Sequence, residues 1–260
     1  MAHVHIGTSG FSYKEWVGPF YPVGLPQAKW LGHYALRLNA VEIDSTFYRM
    51  PNTKMLDAWK KATPEGFAFA IKASRRITHH ERLAVPSEAL SYLFSLLPSL
   101  ASRLGVVLFQ LPPFFRCDPD RLEAFLTSLP SGARVAMEFR HPSWFEDRVY
   151  SLLEKHRAAL CINDGDDDTT PIRLTASHTY VRLRRQSYSA EQRDDWKRRF
   201  RQWVDQAIDV FAFVKHEGNP GAPLAAQQLA EGLAPIALAA QPKKGDQAAV
   251  EIDRSGRHLP

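Results

Sequence analysis

Phe67-Ala-Phe-Ala-Ile-Lys72 is the stretch that decides how this chain folds. Side chains alternate across a β-strand, so Phe67, Phe69 and Ile71 share one face while Ala68, Ala70 and Lys72 share the other. Ala40-Val-Glu-Ile-Asp44 repeats the arrangement, with Val41 and Ile43 opposite Ala40, Glu42 and Asp44. Val135-Ala-Met-Glu-Phe-Arg140 repeats it again, with Val135, Met137 and Phe139 opposite Ala136, Glu138 and Arg140. Such a strand fits the wall of a closed barrel. Its bulky face meets a layer of helices, its small residues fill the interior, and its charge falls at the C-terminal mouth.

Working outward from these three, short apolar runs ending in polar residues return eight times: His3–Gly7, Ala40–Ile43, Phe67–Lys72, Gly105–Gln110, Arg134–Glu138, Ala159–Asn163, Thr179–Leu183 and Asp209–Lys215. Helix-like segments lie between them. Repeated strand, loop and helix predict an α/β protein built as a single (β/α)8 TIM-type barrel, and 260 residues suffice for one. Helices are expected at Gln27–Leu38, Thr53–Ala62 capped by Asn52, Ser87–Arg103 with a break at Pro98, from Asp118 or Asp120 to Leu129, Trp144–His156, Ala190–Ala207 behind a Ser189/Gln192 capping box, and Ala222–Ala239. The sixth unit breaks the rhythm. Only about twenty residues separate the ends of strands six and seven, whereas a βαβ unit takes about 30, so the barrel is expected to be irregular there. The barrel is expected over residues 1–240, with 241–260 as a C-terminal tail or strap.

Hydrophobic content of 45% and charged content of 23% exclude a disordered chain. No apolar run approaches the roughly 20 residues of a membrane span, and the start of the chain lacks a signal-like segment, so a cytoplasmic protein that does not engage membranes is expected. Two separated cysteines, Cys117 and Cys161, fit that setting and form neither a disulfide framework nor a zinc motif. Net charge is +5 and the pI about 9.2, which suits an anionic small-molecule ligand or nucleic acid. Part of the excess, Lys197–Arg201, lies on an amphipathic helix and reads as a solvated face.

Five motifs in order carry a resemblance: Ile6-Gly-Thr-Ser-Gly-Phe-Ser-Tyr-Lys-Glu-Trp16, Val41-Glu-Ile-Asp-Ser-Thr-Phe-Tyr48, Phe69-Ala-Ile-Lys-Ala-Ser-Arg-Arg-Ile-Thr-His79, Leu108-Phe-Gln-Leu-Pro-Pro113 and Glu138-Phe-Arg-His-Pro-Ser-Trp144. Together they resemble the YecE-like family, a domain of unknown function with a TIM-barrel-like fold. The resemblance spans most of Ile6–Leu233 and implies the fold without implying a reaction. Many relatives carry a His-Gly pair where this chain has Arg184-Arg185, and an Asn/Asp-rich end to the last strand where it has Lys215-His216-Glu217-Gly218. The departures imply a more cationic site here.

The expected site is the C-terminal mouth. Glu42 and Glu138 are the candidates for general acid/base work, and Lys72 for holding negative charge or, if desolvated, for a Schiff base. Gly7, Thr8, Ser9 and Gly10 form a loop whose amides and hydroxyls suit an anion, or else a tight turn. Phe11 and Tyr13, with Trp16, are either a wall over the ligand or packing for the loop. Asp44, Gln110, Arg140, His141, Arg182 and Lys215 complete the expected ligand contacts. Glu42, Lys72, Glu138 and Arg140 equally suit an internal ring of ion pairs. No cofactor is expected; the rival is a divalent metal on Glu42, Glu138, His141 and Asp164, with His216 nearby. The first functional reading is an enzyme using acid/base chemistry on a phosphate- or carboxylate-bearing substrate. The others are a metal-dependent phosphodiester hydrolase acting on nucleic acid, and a non-enzymatic protein that binds nucleic acid or a metabolite.

Overall fold

Eight parallel strands wind into a barrel in the computed structural model, which describes residues 2–215 and 220–233. They are β1 (Val4–Thr8), β2 (Ala40–Ile43), β3 (Ala68–Lys72), β4 (Leu104–Gln110), β5 (Val135–Glu138), β6 (Ala159–Asp164), β7 (His178–Leu183) and β8 (Asp209–Val214). From β2 to β8 each strand pairs with the next in sequence, and β8 pairs with β1; between β1 and β2 there is only an isolated bridge, Ser9 to Glu42. Outside lie α1 (Trp30–Ala35), α2 (Ser45–Tyr48), α3 (Thr53–Ala62), α4 (Glu88–Leu96), α5 (Pro119–Thr127), α6 (Asp147–Lys155), α7 (Ala190–Asp205) and α8 (Ala222–Glu231).

The alternating strands partition as their composition demands. Ala40, Ala68, Ala70, Val106, Leu108, Ala136, Cys161, Tyr180, Phe211 and Phe213 fill the interior. Val41, Ile43, Phe69, Ile71, Met137 and Phe139 pack outward beneath the helices. Helix starts follow the capping chemistry: Asn52, Ser87, Asp118 and Ser189 accept the amides of Met55, Leu90, Arg121 and Gln192. The first expected helix is shorter, with a 3-10 turn at Gln27–Lys29 before α1. Pro98 ends the α-helical part of the third expected helix, α4, which continues as a 3-10 segment over Leu97–Arg103. The helix after Trp144 begins only at Asp147. Trp144 instead stacks flat on Phe139 at 4.6 Å and donates to the Phe115 carbonyl.

Between β6 and β7 there is no helix. Two loop threonines take its place: Thr170 Oγ1 accepts the Asn163 amide and Thr175 Oγ1 accepts that of Leu160, both at 2.9 Å.

The β1–β2 seam closes through side chains. Asn39 accepts from the Ile6 amide and donates to the Val4 carbonyl, both at 2.8 Å. The Tyr34 hydroxyl accepts from the Thr8 amide at 2.8 Å and donates to the Ala40 carbonyl at 2.9 Å. A Cβ at position 7 would fall 1.9 Å from the Ala40 oxygen, so this seam requires glycine. The expected tail at 241–260 and the end of the last expected helix lie outside the described residues. No helix among the described residues is long and apolar enough to cross a membrane.

Candidate active site

Inward-facing residues at the C-terminal ends of β2, β5 and β7 meet under the mouth. Arg182 donates through Nη2 to Glu42 Oε1 at 2.7 Å and through Nη1 to Glu138 Oε2 at 2.9 Å, joining two carboxylates 96 residues apart by their numbers. Tyr180, one inward position below Arg182 on β7, donates to Glu42 Oε2 at 2.6 Å. Glu138 takes further bonds from Gln110 Nε2 at 2.8 Å, Arg140 Nη2 at 2.9 Å, Arg140 Nε at 3.1 Å and Asn163 Nδ2 at 3.3 Å. Arg184 stands 3.8 Å away. Glu42 and Glu138 are fully buried.

Burial alone would raise both carboxyl pKa values. At Glu138 it is outweighed by the charges of Arg182, Arg140 and Arg184, which hold the group far below the usual carboxylate range. At Glu42 it is outweighed by Arg182, with Ser9 and Tyr180 adding hydrogen bonds, and the shift is again downward. A carboxylate clamped this way stays ionised through the neutral range and gives up no proton.

Asp44 differs. It lies one residue beyond β2, with its side chain 29% exposed toward the mouth. Its Oδ1 is buried, 3.7 Å from Arg182 Nη2 and 3.8 Å from Lys72 Nζ, and makes no hydrogen bond. Burial first, and then the charge of Glu42, raise its pKa to about 7, against the pull of Arg182 and Lys72. Lys72 sits 4.5 Å over the Phe47 ring, and burial followed by repulsion from Arg182 lowers its pKa. His79 lies edge-on to Phe47 at 4.9 Å, within a π-helical turn over Arg76–His80. Burial and then the Lys72 charge depress its pKa, leaving a neutral imidazole beside the lysine. Arg182 Nε and Asn163 Oδ1 are also buried without partners, so three polar atoms around this mouth lack the bond that a ligand or water supplies.

The other expected site residues lie as follows. The Gly7–Gly10 loop spends its amides within the fold: Thr8 to Tyr34, Ser9 to the Val214 carbonyl at 3.0 Å and Gly10 to the Glu42 carbonyl at 2.7 Å. The loop is the barrel's seam, and its amides form no anion cradle. Tyr13 donates to the Ser9 carbonyl, Phe11 packs on the core, and Trp16 is fully buried against Tyr13, Phe20 and Tyr21, so these aromatics dock the loop. Lys215 follows β8, half-buried, with its amide on the Leu183 carbonyl.

The expected metal set does not assemble. Asp164 points outward from β6, where Arg185 Nη2 at 2.7 Å and Trp196 Nε1 at 2.8 Å occupy its two oxygens. His141 Nδ1 sits 2.8 Å from the Ser143 hydroxyl and accepts the Ser143 amide. Among the described residues no three His, Cys, Asp or Glu side chains are placed to hold an ion. His216 lies outside them.

Sequence reasoning passed over Tyr180 and Asn163. The alternation used on β2, β3 and β5 would have found both. On β7 it places His178, Tyr180, Arg182 and Arg184 inward, and on β6 Cys161 and Asn163.

These features define a (β/α)8 barrel whose mouth holds buried carboxylates bridged by an arginine. The family described as "Protein of unknown function DUF72" matches residues 5–247, and the chain belongs to it. It is 27% identical to UPF0759 protein YunF of Bacillus subtilis over 90% of this chain and 99% of that protein. It is 30% identical to UPF0759 protein YecE of Escherichia coli O157:H7 over 68% of this chain and 63% of that one. The crystal structure of a DUF72 family protein, TM1631 of Thermotoga maritima, superposes with a TM-score of 0.76 at 24% identity, covering 89% of this chain and 99% of its own, and shares the fold.

Proposed function

We propose that the mouth is the active site of an enzyme that moves a proton on a small anionic substrate bearing phosphate or carboxylate. Asp44 is the group that takes and returns the proton, and Lys72 and His79 stand beside the reacting atoms. Arg140 and Arg184 hold the substrate's charge, while Glu42, Glu138 and Arg182 form the buried base that orients them. The observation that carries this reading is Asp44 itself: a carboxyl with a buried, unbonded oxygen, titrating near neutrality beside a lysine. Four cations (Lys72, Arg140, Arg182, Arg184) face three carboxylates (Glu42, Asp44, Glu138), a balance that favours an anion. The proton-transfer role expected of Glu138 and Glu42 passes to Asp44, because burial raises the Asp44 pKa to about 7 while the neighbouring arginines hold those of Glu42 and Glu138 down. The free thiols Cys117 and Cys161 suit a cytoplasmic setting.

The test is turnover of a panel of small phosphorylated and carboxylated compounds by wild type, Asp44→Asn and Arg140→Met. The expected result is a compound converted by wild type, bound but not converted by Asp44→Asn, and bound at least about tenfold more weakly by Arg140→Met. Conversion by Asp44→Asn at the wild-type rate would sink the assignment.

A second reading rests on Tyr48, at the end of α2, and Phe114, on the loop after β4, which are 71% and 67% exposed. Exposed rings near cations suit stacking on the bases of single-stranded nucleic acid. Anisotropy of a labelled oligonucleotide tests it: steep salt dependence, together with loss of binding in a Tyr48→Ser/Phe114→Ser double variant, supports this reading. Binding unaffected by both removes it.

A further inference from the structure

We propose that the opposite, N-terminal end of the barrel holds a second binding site, for a small flat aromatic carboxylate whose ring bears a hydroxyl or N–H. A cleft of about 350 Å³ opens there, lined by His5, Ala68, Leu104, Gly105, Arg134 and Phe211 among others. That volume is at the lower end of the roughly 300–1,000 Å³ of small-molecule sites, enough for one or two fused rings.

The floor is flat and apolar. The His5 ring lies on Phe211 at 4.6 Å and 12°. β4 bulges opposite Phe69 and Ala70, and a Cβ at Gly105 would stand 2.8 Å from Phe211. A glycine bulge of this kind marks a close approach to the strand, and here it keeps the floor clear of side chains.

His5, which lines the cleft, carries an unused polar atom. His5 is only 8% exposed, and its Nδ1 is buried without a hydrogen-bond partner. Burial pushes the His5 pKa down to about 4, so the imidazole is neutral at pH 7. A neutral nitrogen calls for a single hydrogen bond and no counter-charge, which fits a ring hydroxyl or N–H. At the rim, Arg134 is half-exposed and engages Asp209 through Nη1 at 3.2 Å. A guanidinium presents a second edge, and that edge matches a carboxylate. An apolar floor, one neutral acceptor or donor on His5 and one cation at the lip together specify the compound class. This site shares no residue with the C-terminal mouth and does not depend on the reading given for it.

The test is calorimetric titration of the full chain with 4-hydroxybenzoate, with phenol and acetate as part-ligands. The expected result is saturable binding with Kd of about 1 mM or tighter, weakened about tenfold or more in Arg134→Met, in His5→Phe and for either part-ligand. Because His5→Phe touches the core, Ser102→Trp, at an exposed position on the cleft wall, serves as a blocking variant and should also abolish binding. Arg140→Met at the other mouth should leave binding unchanged. Absence of binding by 4-hydroxybenzoate at about 10 mM would overturn the proposal. So would binding that Arg140→Met removes while Arg134→Met and Ser102→Trp do not.

Discussion

At the C-terminal mouth Glu138 is fully buried and keeps its charge; at the N-terminal end of the same barrel His5 is nearly as buried and gives its charge up. Glu138 receives hydrogen bonds from Gln110, Arg140, Asn163 and Arg182, contributed by or just beyond four different strands. His5 has a phenylalanine beneath it and an empty Nδ1. His178, also at that end, sits 3.0 Å from the Val135 carbonyl, and burial likewise lowers its pKa. Burial depth is similar at the two ends, so it does not decide ionisation. What decides it is whether other strands deliver opposite charges to the same point.

Removing a partner at the charged end should break this contrast most strongly. Glu138→Ala leaves the buried Arg182 and the half-buried Arg140 around a void and should cost about 3–5 kcal/mol in chemical denaturation. A loss under about 1 kcal/mol would mean that the arginines find solvent easily. Gly7→Ala comes next. Its Cβ meets the Ala40 carbonyl at the seam, and the strain should cost about 3 kcal/mol and expose the Thr8 amide to hydrogen exchange.

Acid titration sharpens the comparison, because the two ends respond with opposite signs. The ordinary histidine pKa of 6.5 falls to about 4 at His5, so the unfolded chain takes up the proton first. Stability present above pH 6.5 is therefore lost as pH falls toward 4, by roughly 3 kcal/mol, and His5→Phe should remove that slope. Asp44 runs the other way. Its pKa rises from 3.8 to about 7, so the folded state holds the proton more tightly and stability is lost as pH rises through 7. Asp44→Asn should accordingly be more stable than wild type at pH 8, by on the order of 2 kcal/mol, and no more stable at pH 4. Equal stability at pH 8 would show that Asp44 is already ionised without penalty. The smallest effect belongs to neither end: Arg198→Ala, on the exposed face of α7, should change stability by less than about 0.5 kcal/mol.

The fold was legible because its signals are local. Phe69 and Ala70 must point to opposite faces whatever surrounds them, and Asn52, Ser87, Asp118 and Ser189 cap helices from adjacent amides. The missing helix between β6 and β7 was legible as a short spacing. The site was legible in position and not in role. Glu42, Lys72, Glu138, Arg140 and Arg182 meet at the mouth as alternation requires. Nothing near Gly7 in the chain says that its loop amides are donated to Tyr34, Val214 and Glu42. Nothing near Asp164 says that it faces Arg185 and Trp196 on the barrel's outer side.

Alone, then, the chain's order of residues determined eight alternating strands and the side of the wall on which each charge falls, because strand periodicity depends only on neighbours along the backbone. The tertiary structure decided which of those charges persist. Glu42 and Arg182 are 140 residues apart in sequence and 2.7 Å apart in space. An ionisation state depends on the second distance, since both the Coulomb energy and the loss of hydration are set by what surrounds the group once the barrel has closed.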